Sequence, residues 1–186
     1  CICYTFKKLD MKKYLILAIC ALSISSSFGQ DFVKGGNYVT LGYGFDPYYR
    51  PLGNFGIGPI VATYERGITD ILGIGRIGAG GGVSAAFYPG TYANGLTYTG
   101  SRFSIMGRGT YHFEFDIPKM DVYAGVGFAV NIDKEPYYTF AWNYGLSSRV
   151  RVSHYAFAGI RYYFTDVFGV FAEVGHGHRA VTGGMV

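Results

Sequence analysis

Beyond residue 20 the chain contains no cysteine. Its three cysteines, Cys1, Cys3 and Cys20, all lie near the start of 186 residues. A disulfide framework and thiol chemistry are therefore excluded for the remainder. Charge is scarce as well. Asp, Glu, Lys and Arg make up 15% of the sequence, against about 25% in an average soluble domain. Disordered chains carry many charges and few aromatics, so that class is excluded too. The apolar run at residues 14–24 spans 11 positions, well short of the roughly 20 that a membrane-crossing helix needs. No stretch has a convincing helical period. What the chain does have is glycine, 29 residues, and aromatics, 18%. Glycine with β-prone aromatics points to many strands, and the length suits one domain or one small barrel.

Residues 1–29 read as an upstream extension followed by a signal peptide, and residues 30–186 as the working domain. Lys12 and Lys13 after Met11 form a positive n-region, residues 14–24 the apolar h-region, and Ser27-Phe28-Gly29 a small-residue cleavage site. Cys20 fails as a lipid acceptor because Ile19 before it is too large. Without the leader the net charge drops from +4 to +1, since Lys7, Lys8, Lys12, Lys13 and Asp10 leave with it. A nucleic-acid partner loses its support.

From residue 36 onward the apolar pattern has period 2. Strands are expected at 36–45, 57–67, 71–87, 101–113, 121–131, 148–164, 167–176 and 180–186. The intervening connections alternate: long at 46–55, 88–100 and 132–147, short at 68–70, 114–120 and 165–166. Long loops on one side and short turns on the other are the habit of a transmembrane antiparallel barrel. The strand faces agree. Phe103, Ile105, Tyr111 and Phe113 oppose Arg102, Ser104, Arg108 and His112, and Val122, Val126 and Phe128 oppose Asp121, Tyr123 and Asn131. Strands 57–67 and 71–87 mix both kinds on both faces. Gly125, Gly127, Gly159, Gly169 and Gly175 leave room in a crowded interior. Tyr38, Tyr43, Tyr111, Phe113, Tyr162, Tyr163 and Phe164 suit aromatic girdles. The glycine cluster 78–82 lacks the Lys-Ser/Thr of a phosphate loop and is expected to mark a bend or bulge.

Several segments carry a family likeness: Tyr64-Glu65-Arg66-Gly67-Ile68-Thr69-Asp70, then 108–113 (RGTYHF), 121–127 (DVYAGVG) and 158–175 (AGIRYYFTDVFGVFAEVG). Through them residues 36–176 resemble the small outer-membrane β-barrel proteins of Gram-negative bacteria, of the OmpA-like or porin-family type. The resemblance implies an all-β, eight-stranded antiparallel up-and-down transmembrane β-barrel. It implies export by the signal peptide and insertion by the barrel assembly machinery. It further implies a monomer among outer-membrane lipid and lipopolysaccharide, with no cofactor. Such proteins usually finish on an aromatic residue, whereas this chain ends Gly183-Gly184-Met185-Val186, so its last strand is expected to be short or truncated.

Two groups of residues are candidates for function. Arg108, Arg161 and Glu173 fall on the inner face, as does one of Glu65 and Arg66. A buried ion needs a partner, so Glu173 is expected to pair with Arg161 or Arg108, with Glu65 completing a lumen charge network. The aromatic outer loops, with Tyr48, Tyr49, Arg50, Tyr137, Tyr138 and Trp142, are the expected recognition surface. No catalytic or metal site is expected. Ser153 and His154 are consecutive in a strand and point to opposite faces, no nucleophile elbow is present, and His176 with His178 makes too few ligands for a metal. The expected role is structural, adhesive or weakly porin-like. The alternatives are a lipid-modifying outer-membrane hydrolase and a secreted lipocalin-like carrier with an apolar interior.

Overall fold

A computed structural model describes residues 32–45, 57–92, 95–115, 117–138, 144–177 and 181–186. Residues 1–31, which include the expected leader (1–29) and its cleavage site, lie outside the described residues. Eight strands follow in chain order: β1 (Asn37–Phe45), β2 (Ile57–Gly67), β3 (Gly75–Thr91), β4 (Thr97–Phe113), β5 (Met120–Tyr138), β6 (Tyr144–Tyr163), β7 (Gly169–His176) and β8 (Val181–Met185). Each pairs antiparallel with its neighbours in sequence, and β8 pairs back to β1, so the sheet closes into a ring. No helix occurs among the described residues.

The ring is uneven. Four strands, β3 to β6, have 17 to 20 residues, whereas β7 has 8 and β8 has 5. All the extra length rises at one end. There β5 and β6 remain paired to Tyr138↔Tyr144, and β3 and β4 to Thr91↔Thr97. We call this the hairpin end, and the opposite one, with connections 68–74, 114–119 and 164–168, the turn end. The seam between β1 and β8 is narrow, running only from Leu41↔Met185 to Phe45↔Val181, and the β7–β8 ladder is as short, from Val170↔Met185 to Val174↔Val181.

This corrects the expected connections. Residues 88–91, 97–100, 132–138 and 144–147 are strand, not loop. The gap after β3 shrinks to 92–96 and that after β5 to 139–143, so these two long connections were mostly overhang, while the expected loop 46–55 lies outside the described residues. The prolines that disguised these extensions stand where a strand loses one neighbour. Pro89 lies above Phe87, the last β3 residue paired with β2, and Pro136 above Lys134, the last β5 residue paired with β4. A proline is tolerated at such an edge because one side needs no N–H. Other boundaries shift too. Residues 71–74 belong to the turn before β3, and 167–168 to the turn before β7. The glycine cluster 78–82 carries no bulge, since its register with both neighbours is unbroken; the irregularity sits at Ile57/Ile60 instead.

The face assignments of β4 to β7 agree with the sequence pattern. Val39, Leu41, Ile60, Ile105, Val126, Phe128, Val152 and Val174 are exposed on the outside. Glu65, Arg108, His112, Asp121, Arg161 and Glu173 are buried inside. Two aromatics are corrected. Tyr163 is buried within the ring, and Tyr38 stacks inward on Phe32 at 4.7 Å between ring centres. Tyr43, Tyr162 and Phe164 are exposed outside as expected.

Candidate functional site: the layered interior

Side chains alternate across each strand, so eight strands deliver their inner residues into one shaft. The shaft is filled in layers. At the turn end, His112 on β4 sits between two carboxylates. Its Nδ1 lies 2.8 Å from Asp121 of β5 and its Nε2 lies 2.8 Å from Glu65 of β2. An imidazole protonated on both nitrogens donates to both acids, whereas a neutral ring donates to one only. Arg161 on β6 reaches the same two acids, donating from Nη2 to Glu65 at 2.5 Å and from Nη1 to Asp121 at 3.3 Å. Thr110 also donates to Glu65. Four strands are thus tied across the ring by one cluster.

Phe32, just before β1, covers this cluster. Its ring lies flat on His112, 3.5 Å between centres and 2° from parallel. Arg76 donates to the Phe32 carbonyl at 2.5 Å and lies 2.9 Å from Glu114. Gly35 N–H donates to Gly67 C=O at 2.8 Å, which folds residues 32–36 back under the ring.

Above this cluster, Arg108 donates to Glu173 of β7 at 2.6 Å, and the Tyr123 hydroxyl donates to the same oxygen at 2.9 Å. The guanidinium of Arg108 stands 4.1 Å from the Phe157 ring centre, and that of Arg161 stands 4.5 Å from Tyr123. Cation–π contact of this kind strengthens when water is excluded. Three carboxylates, Glu65, Asp121 and Glu173, face the guanidiniums of Arg108 and Arg161 here, and the His112 ring lies between the first two acids.

An apolar layer follows, formed by Val61, Met106, Ala129, Tyr155 and Phe157 with the Tyr123 ring. Glycines seat these rings. Gly159 lies opposite Tyr123 and Gly127 opposite Tyr155 in register. A Cβ on either would come within 2.6 Å of the ring, so each large residue occupies the space its cross-strand glycine leaves empty.

The last layer is polar again. Ser104 donates to Asn131 at 2.7 Å, and Asn131 donates to Ser153 at 2.9 Å. Asp133, fully buried, accepts from Arg102 at 2.5 Å and from Arg151 at 2.9 Å, while Arg151 also reaches Glu135 at 2.7 Å. The residues named in this layer come from β4, β5 and β6.

All four expected charges, Glu65, Arg108, Arg161 and Glu173, therefore meet in the interior. Of the two partners open to Glu173, the structure selects Arg108. Arg161 turns instead to Glu65 and Asp121, because the β6–β7 register sets Gly159 opposite Glu173 and Phe171 opposite Arg161. The cluster's centre, His112 with Asp121, and its Phe32 cover were not expected. The inner-face position of His112 and Asp121 was the available signal. Tyr48, Tyr49, Arg50 and Trp142 lie outside the described residues, as do His178 and the side chains of Tyr137 and Tyr138. Ser153 and His154 point to opposite faces, the first half-buried and the second exposed. No group of three or more potential metal ligands occurs among the described residues.

No family model, curated protein or solved structure matches the chain.

Proposed function

We propose that the protein is a β-barrel anchored in the bacterial outer membrane, with a sealed interior and a projecting sheet that serves recognition or adhesion. One observation carries this reading: the ring is apolar outside and charged inside. A soluble barrel that carried a hydrophobic ligand would need the opposite arrangement. The dimensions support it. Strands of 8 to 11 residues, as in β7 and β2, at about 3.3 Å per residue and a tilt near 40°, rise about 20–28 Å. That matches an apolar band about 25 Å tall. By the same measure β5 and β6 rise about 50 Å and stand about 20 Å clear of it.

The interior argues against conduction. An ion path would have to cross two charged layers whose groups are mutually paired, and an apolar layer between them and the polar mouth. Within the proposed family this favours a structural or adhesive role over a porin-like one.

Two measurements test the reading. The unheated protein should migrate differently from the heated one on a denaturing gel and fractionate with outer membranes. In planar bilayers the purified protein should show no discrete channel events. Recovery in soluble periplasm without a heat-dependent shift would overturn the membrane assignment. Stepwise conductance would overturn the sealed interior.

A further inference from the structure

The three connections at the turn end are as apolar as the wall above them. Ile71, Leu72 and Ile74 stand on 68–74, Phe115 on 114–119, and Val167 and Phe168 on 164–168. All six are exposed. Ile71, Ile74 and Val167 reach 60%, 68% and 71%, against 65% for Val126 on the outer face of β5. The connections also touch one another. Glu114 N–H donates to Ile74 C=O at 2.9 Å, and Tyr163 N–H donates to Lys119 C=O at 2.9 Å. Proteins folded in water rarely expose apolar residues gathered in this way.

This surface is continuous with the outside of the ring. On β4 the rings of Tyr111 and Phe113 lie 5.2 Å apart, and Phe113 stacks on Phe115 at 5.6 Å, which carries the outer face into 114–119. From β6 downward, Tyr162, Phe164 and Phe168 follow one another at 5.5 and 6.3 Å. The Tyr111 hydroxyl donates to the Leu72 carbonyl at 2.6 Å, so residues 71–74 lie against the outside of β4.

The turn backbone finds its partners from within. Thr69 Oγ1 accepts from Ile77 N–H at 3.0 Å, and Thr165 Oγ1 accepts from Phe168 N–H at 3.1 Å. Leu72 N–H reaches Gly75 C=O at 2.7 Å, and Phe164 N–H reaches Phe168 C=O at 2.9 Å. Such pairing matters where the surroundings are lipid, which offers a bare N–H or C=O no partner. The residue after each threonine, Asp70 or Asp166, is exposed. Strand length points the same way. β7 has 8 residues, a rise of about 20 Å, which is about 5 Å short of an apolar band about 25 Å tall. Its upper end carries the exposed, polar His176, so the missing height has to be found below, at Val167 and Phe168.

We propose that the turn end is sunk in the membrane. The side chains of residues 71–74, 115 and 167–168 rest among the acyl chains of the leaflet on that side, and Asp70 and Asp166 lie in its headgroup plane. The lower edge of the lipid contact is then set by the turns and not by the strand ends. This rests on the proposed membrane assignment and goes further, because turns standing in water would meet that assignment equally well.

The test uses tryptophan emission and brominated lipid. The full chain has one tryptophan, Trp142, which is replaced by phenylalanine so that a single reporter can be added. Leu72→Trp and Val167→Trp report on the turns, Val126→Trp on the wall and Leu96→Trp on the hairpin end. Each variant is refolded into phosphatidylcholine vesicles and its folding is checked by the heat-dependent gel shift; Ile71→Trp and Phe168→Trp replace any turn variant that does not fold. Bromine placed near the chain ends should quench Val126→Trp. Bromine placed near the headgroup should quench Leu72→Trp and Val167→Trp, each losing at least half of its emission. Leu96→Trp should keep its emission in both lipids. A quenched wall with an unquenched reporter at either turn would overturn the inference and leave the membrane reading standing. An unquenched Val126→Trp in folded protein would overturn both. Turn reporters that escape bromine but shift to the blue as protein concentration rises would assign the turn end to a second copy, which also overturns the inference.

Discussion

The two ends of the interior use the same chemistry for different ends. At the turn end, Glu65, His112, Asp121 and Arg161 come from β2, β4, β5 and β6 and are each no more than 5% exposed. At the hairpin end, Arg102, Asp133, Arg151 and Glu135 come from three adjacent strands, and the Arg151 side chain is 41% exposed. The first cluster spans the ring; the second braces one wall. Burial separates their energetics. Removing one partner of a buried pair leaves an uncompensated ion and costs about 3–5 kcal/mol, whereas an exposed pair contributes about 0–1 kcal/mol. A list of ion pairs therefore says little about stability until each is placed in the shaft.

The comparison can be broken by substitution, with denaturant unfolding in detergent as the measurement. Arg161→Met should have the largest effect, about 3–5 kcal/mol or failure to fold, because it strands two buried acids. Glu173→Gln should follow at about 3 kcal/mol, since it removes the charge that Arg108 faces. Gly159→Ala should cost about 1–3 kcal/mol by driving a methyl group into the Tyr123 ring. Arg151→Ala should cost no more than about 1 kcal/mol. If it matches Arg161→Met, the distinction between the two ends fails. Asp70→Asn should be the mildest. Lys34 lies 2.6 Å away at the exposed turn end, and its hydrogen bond holds the Asp70 carboxyl below its ordinary value. Any stability from that pair is present at neutral pH and is lost as pH falls through the lowered value. The unfolding midpoint of Asp70→Asn should be unchanged in moderate salt, where screening removes such contacts.

Much of this was legible in the residues because a strand sorts its side chains with period 2. Phe103 and Ile105 outward with Arg102 and Ser104 inward could be assigned before any coordinates. So could the inward positions of Arg108, Arg161 and Glu173. Two things were hidden. Strand length was masked by Pro89, Gly90, Gly100 and Pro136, which signal turns locally but here sit at edges or in long hairpins whose ladders override them. Partner choice across the shaft was hidden because it depends on stagger between strands far apart in sequence. The chain order brings Arg161 and Glu173 together over a tight turn, while the ring brings Glu173 to Arg108 and Arg161 to Glu65. Phe32 was invisible for a simpler reason: nothing in a short irregular segment announces that it tucks under a ring built by later strands.

The narrow seam between β1 and β8 sets an expected order of assembly. The β5–β6 hairpin closes over the short connection 139–143 and can zip residue by residue. The seam must instead bring together segments from opposite ends of the described chain, and the entropy of closing a loop rises with its length. Its reward is five residues of ladder, from Leu41↔Met185 to Phe45↔Val181. The seam should therefore be the last join made and the first in the ring to breathe, and amide exchange should be faster at Tyr43 and Gly183 than at Val126 and Ala156.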